Sequence, residues 1–165
     1  MRLPIRARAG VAAAIAAAAL WWWWPDEARR IRARLAEIVE IVNTPAAGTL
    51  DAAARATRLA AFFAPDVVVQ PGPDGAPIRG RDRLVALAAR APAGDYELEL
   101  VDVSVTVAED ERSALARLTA KLTSSRGGDP WVDARELEVE LRRDGSSGEW
   151  VIGRVAAVSP LERPR

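Results

Sequence analysis

Asp133 and Arg135 stand two residues apart in a segment, Trp131 to Arg143, that alternates apolar and polar residues. On an extended strand such a pair points to one side, with Cα atoms about 7 Å apart. Trp131, Leu137, Val139 and Leu141 share their parity. If the leucines and valine face a core, Trp131, Asp133 and Arg135 line the same concave surface near its end. That arrangement suits a ligand pocket, with Asp133 as general base or hydrogen-bond acceptor and Arg135 gripping an anionic group. The alternative is an ion pair at the pocket rim. Tyr96 shares parity with Leu98 and Leu100 and is the only tyrosine, so it is the only phenol able to donate to an oxyanion. It also suits a core or rim position with one wet end.

Other chemistry is excluded by composition. The chain has no His and no Cys, which removes His-based triads, His-metal sites, His pH switches and a disulfide framework. Glu136, Glu138 and Glu140 form an acidic ladder on the opposite parity. Same-face carboxylates on an exposed strand are read as a solvated surface, neutralised across the strands by Arg117 and Lys121. No metal site and no cofactor is expected. Arg2, Arg6 and Arg8 are the only charges in the first 25 residues, so the remainder carries 20 basic and 23 acidic residues, a net charge of −3. A nucleic-acid binder needs a basic face, and this chain offers none.

The elements that must position these residues follow from periodicity. Asp26 is placed to cap a helix running to about Val42, with Ile31, Leu35, Ile38, Val39 and Val42 at helical spacing. Thr49 caps a second helix ending near Phe63. A strand follows at Asp66 to Gln70, then a Pro- and Gly-rich turn. A short extended piece, Pro77 to Gly80, leads into a third helix over Arg81 to Arg90. Four strands close the chain: Tyr96 to Val107, Ala114 to Thr123, Trp131 to Arg143 and Glu149 to Val158. In the first of these the apolar parity switches at 100/101, which predicts a bulge or sharp bend. The fold class is α+β, three helices packed on a strongly bent mixed or antiparallel sheet.

Several segments carry a family resemblance. They are Phe62-Phe63-Ala64-Pro65-Asp66-Val67-Val68-Val69, Ile78-Arg79-Gly80-Arg81-Asp82 opening a helix, and Glu136 to Gly145 leading to Glu149-Trp150-Val151-Ile152. In their order and spacing they resemble the nuclear-transport-factor-2-like superfamily, the cone-shaped fold of SnoaL-like proteins and ketosteroid isomerases. The resemblance covers residues 26–159 and implies a curved sheet around a pocket, with a helix over the opening. It implies no single activity, because the fold hosts enzymes, binding modules and assembly proteins. Isomerase-like catalysis would want a tyrosine on the first helix and two acids in the pocket, and the first helix has no tyrosine. Sheets of that family often dimerise, so a homodimer through the sheet is an expectation.

The N-terminus suggests a membrane. Ala9 to Trp24 is an uninterrupted apolar run of sixteen residues, preceded by three arginines and closed by Trp21, Trp22, Trp23 and Trp24. As a helix it reaches about 24 Å against a hydrocarbon core near 30 Å. Arginine snorkelling and interfacial tryptophans extend that reach. The run is therefore expected to be a transmembrane anchor over residues 1–25. The domain over residues 26–159 would then be extracytoplasmic, on a bacterial inner membrane, with residues 160–165 as a tail. A cleaved secretory signal, with Ala17 and Ala19 at the cut, is the alternative. The layout also resembles bitopic assembly components of bacterial secretion systems. The expected function is a tethered domain binding a small molecule or partner protein; a SnoaL-like enzyme of proton transfer or hydration, and an assembly component, are the alternatives.

Overall fold

The computed structural model describes residues 26–45, 48–72, 75–90, 96–124 and 131–158. Among the described residues, three helices, α1 (Glu27–Asn43), α2 (Thr49–Ala60) and α3 (Arg81–Arg90), accompany six strands. The strands are β1 (Phe63–Gln70), β2 (Ile78–Arg79), β3 (Tyr96–Val107), β4 (Ser113–Ser124), β5 (Trp131–Arg143) and β6 (Trp150–Ala157). They form one mixed sheet in the order β2-β1-β6-β5-β4-β3. Among the described strands the β1–β6 pairing is parallel and the others are antiparallel. The expected α+β order of elements is present.

α1 begins where Asp26 accepts from the Ala28 amide at 3.2 Å, satisfying one of the free N–H groups of the first turn. Ile31 and Leu35, one turn apart, are buried against Val67, Ala116, Val139, Leu141 and Ile152 of the sheet. α2 starts after Gly48 rather than being capped by Thr49, and no side chain caps it. It also ends earlier than expected. Phe62 closes a turn, its amide donating to the Leu59 carbonyl at 3.1 Å, and Phe63 already belongs to β1.

The switch of parity in β3 is realised as an irregularity between Val101 and Ser104. Asp102 there adopts φ +53°, a left-handed conformation that few residues other than glycine, Asn and Asp take. Bulges of this kind increase local twist, which lets β3 curl with α1. Among the described residues β3 is the last strand of the sheet. At Leu98 the place of a neighbouring strand is taken by the Asn43 amide, which donates to the Leu98 carbonyl at 2.8 Å and accepts from its N–H at 2.7 Å.

A second tie holds the start of α1 to the β5–β6 hairpin. The Trp150 indole N–H donates to Glu27 at 2.8 Å, and Arg143 pairs with the same carboxylate at 2.6 Å. Burial pushes the Glu27 carboxyl up. The Trp150 and Arg143 hydrogen bonds and the charges of Arg143 and Arg30 outweigh that and hold it below its ordinary 4.5. A depressed carboxylate contributes stability above its unfolded pKa and loses it as pH falls through the folded value. Thermal stability is therefore expected to decline as pH drops below about 4.5. In Glu27→Gln the decline over that window should be shallower, as read by melting curves across pH.

The transmembrane helix expected ahead of the domain is corrected. Among the described residues no helix is long and apolar enough to cross a membrane. The longest, α1, carries charges in every turn. Residues 9–24, on which the expectation rested, lie outside the described residues. The anchor, the bilayer contact through Trp21 to Trp24 and the inner-membrane placement with an extracytoplasmic domain are therefore dropped from the architecture.

Candidate functional site

The helices do not fill the concave side of the sheet. Between them and the sheet lies a cavity of about 310 Å³. Ile38 and Val42 of α1, Ala56, Leu59 and Ala60 of α2, and Leu84, Val85 and Ala88 of α3 form its roof. Phe63 and Val69 of β1 and Val155 of β6 form its floor. Every one of these side chains is apolar. The volume lies at the lower end of the about 300–1,000 Å³ usual for small-molecule pockets. The space arises from composition: alanines at 56, 60 and 88 face inward where larger side chains would close it.

Asp133, Arg135, Tyr96 and Trp131 are placed on one face by strand register. Tyr96, Ser124 and Trp131 form one row across β3, β4 and β5. Leu98, Leu122 and Asp133 form the next, and Leu100, Ala120 and Arg135 the third. All share the face of Leu137, Val139 and Leu141. None of the four lines the cavity. Asp133 accepts from Arg135 Nε at 2.9 Å, and Arg135 Nη1 donates to the Pro71 carbonyl at 3.2 Å. Pro71 follows β1, whose Val69 lines the cavity, so Arg135 reaches the end of the cavity floor. Trp131 is 46% exposed and Arg135 is exposed, while Asp133 and Tyr96 are half-buried. Asp133 and Arg135 thus form an ion pair with each other, outside the lining of the apolar cavity.

The resemblance implies a pocket, but which residues line it was not legible in the sequence, because they read as ordinary core. Helical spacing makes Leu59, Phe62 and Phe63 core anchors and points Leu84, Val85, Leu87 and Ala88 inward; Phe62 is buried outside the lining, Leu87 is 46% exposed, and the other five line the cavity. Only the assembled structure shows that they stop short of contact. The Ala-rich faces of α2 and α3 were the available signal.

The convex side of the sheet carries an open groove of about 720 Å³. Two ion pairs cross it, Arg142 with Asp66, and Arg154 with Glu140 at 3.3 Å. The groove is larger than the cavity but faces solvent. Of the acidic ladder, Glu138 pairs with Arg117 at 2.9 Å as expected. Lys121 instead pairs with Glu99 of β3 at 3.2 Å, because its neighbour on β5 is Ala134. Among the described residues no group of three or more His, Cys, Asp or Glu could hold a metal ion. Exposed pairs of this kind are worth about 0.5 kcal/mol. Glu138→Gln is expected to change stability by no more than about that amount in urea unfolding.

Asp144 turns the β5–β6 hairpin. The Ser146 hydroxyl, then the Ser147 backbone and hydroxyl, hold its carboxyl down to about 2. Its stabilising effect is present above the ordinary 3.8 and lost as pH falls toward 2.

Comparison with solved structures agrees with this geometry. A nuclear-transport-factor-2-like protein with a cystatin-like fold from Novosphingobium aromaticivorans matches with a TM-score of 0.65 and 20% identity, covering 89% of each chain. A protein from the same organism, provisionally named a scytalone dehydratase, matches with a TM-score of 0.62 and 14% identity, over 83% of this chain and 94% of that one. One from Xanthomonas campestris, provisionally named a polyketide cyclase, matches with a TM-score of 0.50 and 18% identity, over 82% and 94%. At these identities the likeness concerns the fold. No curated protein matches the chain. The model of the SnoaL-like domain matches residues 33–156, from the middle of α1 to the end of β6, and the chain therefore belongs to the SnoaL-like domain family.

Proposed function

We propose that this SnoaL-like domain takes a small, largely apolar molecule into its cone. The observation that carries this reading is the cavity of about 310 Å³ whose described lining has no polar side chain. Such a lining rewards desolvation of hydrocarbon at roughly 25 cal/mol per Å² buried and penalises any unpaired polar group. The ligand body is therefore one or two rings or a short chain. Of Tyr96, Trp131, Asp133 and Arg135, Arg135 stands nearest the cavity, held to the end of β1 through the Pro71 carbonyl.

The test is a thermal-shift panel of one- and two-ring aromatic and alicyclic compounds. At least one should raise the melting temperature. Ala88→Phe, which fills the cavity from α3, should weaken that compound at least about tenfold, the factor that 1.4 kcal/mol represents. Ala89→Phe on the exposed side of the same helix should leave it unchanged. Binding that persists in Ala88→Phe would remove the cavity from the reading.

A second reading is favoured by the names of two relatives, a dehydratase and a cyclase. Here the bound molecule undergoes proton transfer or hydration at the rim. Asp133 acts as the base, and Tyr96 or Arg135 stabilises the developing charge. No acid or base lines the described cavity, so the reacting atom would sit at its mouth. Asp133→Asn should then abolish turnover of a substrate while leaving its binding intact. Unchanged turnover would remove Asp133 from the mechanism.

A further inference from the structure

The concave face of β3, β4 and β5 is apolar over its whole middle. Between the row of Tyr96, Ser124 and Trp131 and the row of Ala114 and Leu141, its only charged residues are Asp133 and Arg135. They stand next to each other, and two of the three guanidinium nitrogens are used. Nε is taken by Asp133 and Nη1 by the Pro71 carbonyl. Among the described residues Nη2 has no partner, and the side chain is 57% exposed.

The distance to the cavity can be read from the register. Val155, on the cavity floor, lies opposite Val139 of β5. Arg135 is four residues along the same strand and on the same face, roughly 13 Å away at about 3.3 Å per residue. A molecule seated in the cavity reaches the guanidinium only if it is elongated. Its end would meet a planar cation whose free donors suit a carboxylate.

We propose that the ligand is an amphipath with one anionic end, its hydrocarbon body in the cavity and its carboxylate or similar group on the Nη2 donors of Arg135. This rests on the pocket reading and adds the chemistry of the ligand's far end. Asp133 plays two opposed parts. It fixes the guanidinium plane through Nε, and its own negative charge weakens the hold on an anion.

The test compares three probes of one chain length, octanoate, octan-1-ol and octylamine, by NMR titration of the full chain. Octanoate should bind about tenfold tighter than octanol, the scale of a hydrogen bond to a charged group. Octylamine should bind weakest. Arg135→Gln should bring octanoate down to octanol and leave octanol unchanged. Asp133→Asn should tighten octanoate alone. If octanol shifts the signals of Ala88 and Val155 and octanoate binds no tighter, the anionic end is overturned while the pocket reading stands. If no probe shifts those signals, the pocket reading fails and this inference with it. If Arg135→Gln weakens octanol as much as octanoate, the arginine acts on the shape of the cavity and the proposed contact is wrong.

Discussion

Trp150→Ala is expected to lower the unfolding free energy by about 4 kcal/mol, within the range of large aromatic deletions in cores. Trp150 is 3% exposed and belongs to the cluster that Ile31 and Leu35 of α1 form with the sheet. Its ring lies under the Arg143 guanidinium at 4.9 Å, and its N–H donates to Glu27. Truncation would remove hydrocarbon burial, the stacking and a hydrogen bond to a charged group together. Trp150→Phe separates these contributions. It keeps most of the packing and loses the indole donor, so about 1–3 kcal/mol is expected. Urea unfolding followed by circular dichroism measures both. A loss under about 1 kcal/mol for the alanine variant would mean that the hairpin and α1 are held together by other contacts.

Asn43→Ala should cost about 2 kcal/mol, the sum of two ordinary hydrogen bonds. The asparagine stands at the last position of α1, and both halves of its amide meet the backbone of Leu98. Asn43→Asp keeps an acceptor for the Leu98 N–H but presents a carboxylate oxygen to the Leu98 carbonyl. It should therefore be no better than the alanine variant. Hydrogen exchange gives the local readout. The Leu98 amide should exchange faster in Asn43→Ala, beyond the global loss of stability, while the amide of Val139, buried in the sheet, follows the global loss alone. Equal acceleration at both positions would contradict a local tie.

The sheet was legible in the sequence because its two faces differ in chemistry. Glu136, Glu138 and Glu140 against Leu137, Val139 and Leu141 leave one possible orientation for β5. That orientation also places Asp133 and Arg135 on the concave side. The irregularity of β3 was legible as a change of apolar parity and is built around Asp102. The start of β1 was less so, because Phe62 and Phe63 suit the end of a helix as well as a strand. There, tertiary contacts decide: the Ile152 amide donates to the Phe62 carbonyl at 2.8 Å and draws the chain into the sheet.

The site was legible only in part. Two residues at i, i+2 on a strand must share a face, so the pairing of Asp133 with Arg135 followed from spacing. Its position outside the cavity did not, because a void depends on what three helices together fail to fill. The membrane reading shows the opposite weakness. Ala9 to Trp24 is apolar by count, but alanine is barely apolar, and the described helices are amphipathic elements of a domain.

The contact between Asn43 and Leu98 also bears on how this chain meets its own copies. A terminal strand offers open backbone donors and acceptors, which is the template that another strand would extend. β3 is twelve residues long and rich in valine, the composition that favours such growth. Asn43 occupies the middle of its first half with a side chain that ends the ladder, and Asp102 twists the next segment out of line. One amide and one left-handed aspartate thus act as guards against fibrous self-association, and a crowded solution is where their loss would first be felt.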